Sequence, residues 1–189
     1  EYVNLTNDES LRMSTNDFTI DVWVKTDYSE NTKYFVSNLG ATGYRFTTAN
    51  SPDTGKLRLQ LDDGTADTYI TNSVTGLASN VWANLVVSVD RTNSQAIFYI
   101  DGKVFDIIDI SATAGSIDSD EKLTIGANPA NLISGNNLAG EIGRVSIYNT
   151  SLSESEIRSN MFEPCTALSN QSELVSCYQF DEGTGTTVA

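Results

Sequence analysis

Strict alternation of apolar and polar residues runs along most of this chain, and no other feature of the sequence restricts its fold as strongly. In FTIDVWVK, apolar side chains occupy every second position from Phe18 to Val24, and polar residues or Trp23 lie between them. The segment LRLQL at 57–61 repeats the pattern. Because successive side chains of a β-strand point to opposite faces, this period of two predicts strands with one buried face.

Strand-like segments recur at intervals of about 8–12 residues with polar turns between them, which is typical of a β-sandwich. Residues 82–110 are predicted to form three consecutive strands, joined by a turn at 92–94 and by Asp101-Gly102, a dipeptide typical of a type I′ hairpin. Ser153 followed by Glu156 forms a capping box, with Leu152 and Ile157 as its hydrophobic staple, and predicts one short helix over 153–160. We therefore predict an all-β, two-sheet antiparallel jelly-roll sandwich, with one short helix, that spans residues 1–189 as a single domain.

The charge balance restricts the partners of the chain. It carries 25 acidic and 11 basic side chains and no histidine, which gives a net charge of −14. Phosphates would be repelled at long range, so we expect no binding of nucleic acid or of anionic membranes. No apolar run approaches the roughly 20 residues that span a bilayer, so membrane insertion is not expected. The acidic surface is consistent with cation binding and equally with solubility alone.

Two cysteines, Cys165 and Cys177, are the only ones in the chain. Their spacing is too wide for a redox C-x-x-C motif, and there is no histidine or further cysteine to complete a zinc site. A disulfide is the favoured interpretation, and two free buried thiols in a cytosolic protein are the alternative. A disulfide favours a secreted or cell-surface location. The chain begins directly in EYVNL, which favours a piece of a longer protein with neighbouring domains.

Several of these segments, in this order, resemble the laminin G-like branch of the concanavalin A-like jelly rolls. The resemblance is carried by FTIDVWVKT, by the run from Trp82 to Lys103, and by LTIGAN followed by LAGEIGRVSIYNTSLSESEI. The tail CYQFDEGTGTTVA is similar to the first strand of that family. Residues 174–189 are thus either a permuted first strand of this domain or the start of a following repeat. We expect residues 174–181 to pair in the sheet, because an uncovered strand edge invites aggregation.

Catalysis has little support in the sequence. Some relatives, the laminarinase-type glycosidases, carry an E-x-D-x-x-E strand, and GEIGRVSIY resembles it only at Glu141. Gly143 replaces the aspartate, and Ser146 or Ile147 replaces the last glutamate. One carboxylate cannot serve as both general acid and nucleophile, and no histidine can act as a base. We therefore predict that the chain is not an enzyme, and a glycoside-active domain is the least favoured interpretation.

Calcium is the cofactor that the resemblance implies. Jelly rolls of this type often hold a calcium ion where the first strand meets the closing strand, and Asp181 is the first candidate ligand. Gly143 stands where many relatives have an aspartate, so one expected ligand is missing. Two other acidic pairs are alternative oxygen clusters or simply solvated turns: Asp62 with Asp63, and Asp118 with Asp120.

Carbohydrate binding is the function that the resemblance favours. Sugar sites need an aromatic platform beside hydrogen-bonding side chains, and Trp23, Arg45, Arg58 and Gln60 all lie on the polar phase of their strands. If these strands share one sheet, the four side chains line a groove, with Tyr44 and Tyr69 as further contacts. Trp82 opens a core strand and is predicted to be structural.

Two functions remain open on sequence grounds. One is a non-catalytic carbohydrate-binding or adhesion module that recognises a glycan, a polysaccharide or another surface protein. The other is a structural spacer repeat without a ligand. Both need the same sandwich and differ only in the chemistry of loops and exposed faces, so strand patterning cannot separate them.

Overall fold

The computed structural model describes residues 2–5, 8–28, 32–129, 132 and 137–181. Within this part of the chain, one α-helix, α1, spans Glu154–Asn160, and two short 3-10 helices span Glu9–Leu11 and Cys165–Ala167. The strands are β1 Val3–Asn4, β2 Phe18–Thr26, β3 Tyr34–Ser37, β4 Gly43–Thr48, β5 Leu57–Asp62, β6 Ala66–Ile70, β7 Val81–Asp90, β8 Gln95–Ile100, β9 Lys103–Asp109, β10 Thr124–Ile125, β11 Gly140–Tyr148 and β12 Leu174–Gln179.

The strands form two six-stranded antiparallel sheets, which confirms the predicted sandwich. Sheet A has the order β1-β10-β3-β4-β5-β6, and sheet B has the order β12-β11-β2-β7-β8-β9. Strands β7, β8 and β9 are the three consecutive strands predicted for residues 82–110. Asp101 and Gly102 have positive φ angles of 49° and 70°, as a type I′ hairpin turn requires. No helix in the described residues is long and apolar enough to cross a membrane.

The apolar phase of the strands fills the space between the two sheets. Phe18, Ile20, Val22 and Val24 of β2 are fully buried, as are the three leucines of β5. They pack into one large hydrophobic cluster with residues from both sheets. Each fully buried side chain of this size contributes about 1.5–3 kcal/mol relative to an exposed one, so the alternation seen in the sequence is also the main source of stability.

A second layer covers part of the outer face of sheet B. Helix α1 begins at the predicted capping box, in which the Ser153 hydroxyl accepts from the Glu156 amide and the Glu156 carboxylate accepts from the Ser153 amide. A second hydrophobic cluster joins this layer to the sheet through Val86, Tyr99, Tyr148, Leu152, Ile157 and Leu168. The predicted staple residues Leu152 and Ile157 both belong to it. The layer explains why residues on the polar phase of β2, such as Thr19 and Asp21, are buried.

Strand β12, Leu174–Gln179, is the outermost strand of sheet B at one edge. Strand β12 pairs antiparallel with β11, from Arg144 opposite Gln179 to Tyr148 opposite Leu174. Cys165 and Cys177 form the predicted disulfide, with a Cα–Cα distance of 5.7 Å, and thereby connect this strand to the segment after α1. Residues 182–189 lie outside the described part of the chain. The choice between a permuted first strand and the start of another repeat stays a prediction.

Candidate functional site

An open cleft of about 370 Å³ lies on the outer face of sheet B, beside the segment that follows α1. We call it the aromatic cleft and define it by Trp23, Trp82, Gly143, Phe162 and Gln179. Strands β2, β7 and β11 supply its floor, and residues 161–164 supply a wall. Its volume lies within the range of small-molecule sites.

Trp82 forms the most accessible aromatic surface of the floor. It lies on the same phase of β7 as Asn84, outward from the core, and 41% of the residue is exposed. A Cβ atom at Gly143 would lie 3.3 Å from the Trp82 ring, and the pairing of β11 with β2 shifts register at this glycine. The missing side chain therefore lets the indole approach the backbone of β11 closely. The result is a broad aromatic surface that faces solvent.

Trp23 and Phe162 form the other two aromatic surfaces. The Trp23 indole nitrogen donates to the carbonyl oxygen of Met161 at 2.7 Å, which fixes the neighbouring wall residue. The ring centroids of Trp23 and Phe162 are 5.6 Å apart and tilted by 37°. Phe162 is 77% exposed and lines the same cleft as the exposed Trp82, so the two rings leave apolar surface open to solvent at one place.

A buried ion pair anchors the wall beneath the cleft. Arg144 donates through Nη2 to Asp21 at 2.9 Å, and through Nη1 to the carbonyl oxygens of Asn160 and Glu163. Asn84 donates to the other Asp21 oxygen at 2.6 Å. Burial raises the pKa of Asp21, and the charge of Arg144 opposes this rise. Because the guanidinium is neutralised by Asp21, it brings no uncompensated positive charge to the cleft.

Gln179 supplies a polar edge. Its side-chain oxygen accepts from the Cys165 amide at 3.2 Å, and its side-chain nitrogen donates to Asp181 at 3.0 Å. The carboxamide is thereby oriented, and the Cys165–Cys177 disulfide holds the two segments that contact it. Glu163 lies on the same rim, and its carboxylate forms no ion pair within the described chain. The aromatic cleft thus combines three rings with hydrogen-bonding groups at its edge.

A family model described as the concanavalin A-like lectin/glucanases superfamily matches residues 1–158. The chain belongs to the concanavalin A-like lectin/glucanase superfamily. The match ends before β12 and before the wall of the aromatic cleft. No curated protein sequence matches the chain.

Several solved structures share the fold of this chain. A protein from Bacteroides ovatus, provisionally described as carbohydrate binding, is similar with a TM-score of 0.74 and 14% identity over 99% of this chain and 50% of its own. The binding domain of Paraclostridial Mosquitocidal Protein 1 has a TM-score of 0.61 and 21% identity over 85% of this chain and 41% of its own. A heptameric SAP-like pentraxin from Limulus polyphemus has a TM-score of 0.61 and 13% identity over 78% of this chain and 70% of its own. The chain spans half or less of the first two.

The predicted groove of this concanavalin A-like domain does not form as a single site. Arg45, Arg58 and Gln60 lie together on the outer face of sheet A, where Arg45 is opposite Gln60 in the register of β4 and β5. Trp23 lies on β2 in sheet B and faces outward on the other side of the sandwich. The condition for a shared groove, that these strands lie in one sheet, is therefore not met, because β2 pairs with β7 and β11 instead.

The two tyrosines predicted as further contacts are core residues. Tyr44 is fully buried, donates to the Leu11 carbonyl oxygen at 3.2 Å and packs 5.2 Å from the Phe18 ring centroid. Tyr69 is 8% exposed and lies 2.6 Å, between hydroxyl oxygens, from Thr113. Tyr44 shares its face of β4 with the buried Phe46, and Tyr69 lies opposite the buried Leu59, so both point into the sandwich rather than toward a ligand on its surface.

The predicted calcium ligands are dispersed. Asp181 follows β12 and accepts from Gln179, while Gly143 of β11, where an aspartate was expected, instead accommodates the Trp82 ring. Asp62 accepts from the Gly64 amide at 2.9 Å and Asp63 accepts from the Thr65 amide at 3.2 Å, so both stabilise a turn, and Asp63 also connects this turn to another loop by accepting from the Gly115 amide at 2.7 Å. Within the described residues, no three acidic, histidine or cysteine side chains gather into a metal site. Calcium at Asp181 stays a prediction.

The remaining acidic candidates also have structural partners. Asp118 accepts from the Ser14 amide at 2.8 Å, and Asp120 forms an ion pair with Arg12 at 2.9 Å. Glu141, the one match to the glycosidase motif, lies 2.7 Å from the Lys25 ammonium. These contacts connect loops and neighbouring strands, and none of these carboxylates lines the aromatic cleft.

Sequence reasoning missed three members of the cleft. Trp82 was predicted to be structural because it opens a core strand, yet it falls on the outward phase of that strand, and this signal was available in the alternation. Phe162 and Gln179 could not be assigned, because the wall at 161–164 has no periodic pattern and its position depends on the Arg144 anchor and the disulfide.

Proposed function

We propose that this domain is a non-catalytic carbohydrate-binding module of a secreted or cell-surface protein, and that the sugar binds in the aromatic cleft. The observation that carries the proposal is the exposed Trp82 indole, which lies against Gly143 on the floor of a 370 Å³ cleft. Pyranose rings have apolar faces that stack on flat aromatic side chains, and their hydroxyl groups need polar groups at the rim. Gln179 and Glu163 are placed to supply those groups.

The charges around the cleft favour a neutral sugar. Arg144 is neutralised by Asp21, Lys25 is paired with Glu141, and the rim carries the Glu163 carboxylate. The whole chain has a net charge of −14. An acidic sugar would therefore meet like charge at this site, and we expect neutral glycans to bind more tightly.

The proposal can be tested with a glycan array followed by calorimetry on the ligand that the array identifies. Trp82→Ala should weaken binding about tenfold, because the loss of an aromatic stacking contact costs on the order of 1–1.5 kcal/mol, as it does for aromatic pairs. Val81→Ala is the matched control, since Val81 is the adjacent residue, is 55% exposed and does not line the cleft. Both variants should keep the wild-type melting temperature.

Two results would contradict the proposal. Equal affinity of Trp82→Ala and the wild type would place the ligand elsewhere on the domain. Failure of the wild type to bind any neutral glycan would favour the spacer function instead. The non-catalytic assignment predicts that a bound oligosaccharide is recovered intact after long incubation, and release of shorter sugars would refute it.

A secreted or cell-surface location is part of the same proposal. The Cys165–Cys177 disulfide supports it, because disulfides persist mainly in oxidising compartments. Native protein isolated under non-reducing conditions with its free thiols blocked should contain no alkylated cysteine. Two alkylated cysteines in that sample would contradict the location.

A further inference from the structure

The outer face of sheet A carries two arginine charges that no carboxylate of the described residues pairs with. Arg45 on β4 and Arg58 on β5 are diagonal neighbours, because Arg45 is opposite Gln60 and Arg58 is opposite Thr47. Neither arginine forms an ion pair within the described chain. The nearest carboxylate in this register, Asp62, accepts instead from the Gly64 amide.

This arrangement is unexpected for so acidic a protein. With 25 acidic and 11 basic residues, the chain has more than enough carboxylates to pair every cation. Arg58 is only 8% exposed, and burial together with the charge of Arg45 lowers the pKa of its guanidinium. Buried charges in proteins are normally paired, because an unpaired one loses hydration without compensation. Among residues 2–5, 8–28, 32–129, 132 and 137–181, neither guanidinium has a negative partner.

Neutral contacts hold the two guanidiniums in place. Arg45 lies over the Tyr34 ring at 5.5 Å from its centroid and donates through Nη1 to the Tyr34 hydroxyl at 3.1 Å. Arg58 donates through Nε to Thr47 at 3.0 Å and through Nη1 to Asn50 at 3.1 Å. The second terminal nitrogen of each guanidinium has no partner in the described chain. The two guanidiniums are thus held in fixed orientations, and each keeps N–H groups that can donate to a ligand.

Two further atoms lack a hydrogen bond at the same place. Arg45 Nε, a donor, and Gln60 Oε1, an acceptor, are both buried without a partner. Both atoms are covered by protein, so a ligand contacts them only if neighbouring side chains move. Arg45, which lies opposite Gln60, is partly exposed, and its long side chain can move if its contacts with Tyr34 are exchanged for contacts with the ligand. A ligand that pairs with all three side chains, Arg45, Arg58 and Gln60, must supply a negative group and also a hydroxyl that donates to Gln60.

We propose that Arg45, Arg58 and Gln60 form a second binding site that takes an acidic sugar of the uronate type. The two guanidiniums would bind its carboxylate, and Gln60 Oε1 would accept from an adjacent ring hydroxyl. Inorganic sulfate carries charge but has no hydroxyl to donate, so it satisfies only half of the site. A nucleic acid is repelled by the net charge of the whole chain. The site is separate from the aromatic cleft, because sheets A and B present their outer faces on opposite sides of the sandwich.

The test compares two probes that differ only in charge, glucuronic acid and glucuronamide, by NMR titration of the whole chain. The wild type should bind glucuronic acid at least about tenfold more tightly than the amide, and more weakly as salt is added. Arg58→Met should remove this preference, while Trp82→Ala should keep it. Arg58→Met should in turn keep the binding of neutral glycans in the aromatic cleft, so the two sites can fail independently.

Three outcomes would overturn the proposal. Equal binding of the acid and the amide would show that the arginines do not recognise charge. Loss of glucuronic acid binding in Trp82→Ala would place the acidic sugar in the aromatic cleft. Sulfate binding as tight as that of glucuronic acid would show a general anion site that does not use Gln60. Gln60→Leu gives an independent check, since it should weaken glucuronic acid binding and leave sulfate binding unchanged.

Discussion

Each sheet has a buried arginine on its outer face, and the two arginines differ in whether a carboxylate pairs with them. On sheet B, Arg144 is covered by the layer after α1, pairs with Asp21 and holds two carbonyl oxygens of that layer. On sheet A, Arg58 is similarly buried but contacts only neutral groups and lies near a second arginine. Arg144 therefore stabilises the fold. Arg58, in contrast, is oriented by neutral groups and is free to bind the carboxylate of the acidic sugar proposed above.

Removal of Arg144 should have the largest effect. In Arg144→Ala, Asp21 stays buried without its counter-charge. The carbonyl oxygens of Asn160 and Glu163 also lose the hydrogen bonds that hold the wall of the cleft against the sheet. We expect the free energy of unfolding to fall by about 3–5 kcal/mol. Urea denaturation at neutral pH measures it. Lys25→Ala is the control, because its ion pair with Glu141 is exposed and should be worth less than about 1 kcal/mol.

Loss of the disulfide should have the next largest effect, and it acts on the face of sheet B alone. A double serine variant at Cys165 and Cys177 should lose about 3 kcal/mol of stability in the chain-entropy account of a loop of this length. It should stay folded, because the core between the sheets does not depend on the bridge. Neutral-glycan binding should weaken through the mobile wall, while glucuronic acid binding should not change. Equal loss of both would show that the two faces are coupled.

Arg58→Met tests whether the arginine on sheet A contributes to stability. It removes a buried, unpaired charge and its repulsion with Arg45, and it keeps a long side chain in the same position. We expect the stability to change by less than about 1 kcal/mol, in either direction. A loss as large as that of Arg144→Ala would mean that Arg58 is a structural residue and would remove the contrast between the faces.

Calcium should have an effect of no more than about 1 kcal/mol, confined to the edge where β12 ends. If Asp181 is a ligand, millimolar calcium should stabilise the wild type by about 1 kcal/mol, as expected for a weak site near saturation. Asp181→Asn should abolish this gain without changing the stability measured in chelator. Thermal melts of both proteins with and without calcium provide the measurement. An equal gain in the variant would assign the ion to another acidic cluster.

The smallest effect should come from the helix cap on sheet B. Hydrogen bonds from Ser153 and Asn170 lower the pKa of Glu156 in the folded state. Since the folded pKa lies below the unfolded one, the stabilisation is present above the unfolded pKa, about 4.3, and is lost as the pH falls through the folded pKa. Glu156→Gln should flatten this part of the stability curve by a few tenths of a kcal/mol, because solvent screens the group. An unchanged curve would show that the cap is not charge-dependent.

The sequence contained most of the fold and less of the site, for a physical reason. Alternation around Phe18–Val24 and Leu57–Leu61 records which side chains face the core, and the capping box at Ser153 records where the helix begins. Neither pattern records which outer face a strand belongs to. Trp23 and Arg45 each lie on the outward-facing phase of their own strand. The two strands nevertheless belong to different sheets, because sheet membership depends on long-range pairing. The wall that carries Phe162 depends on tertiary contacts of Arg144 and on the disulfide.

The position of the disulfide has a mechanical consequence. Cys165 lies in the segment after α1 and Cys177 lies in the edge strand β12, with a sequence separation of 12 residues. If the domain were stretched through its chain ends, β12 could peel away from β11, but the bridged loop could not lengthen. At about 3.3–3.6 Å per residue, the bond withholds roughly 40 Å of extension. Single-molecule pulling should therefore show a longer unfolded chain after reduction, and the wall of the aromatic cleft should yield in the same event as the edge strand.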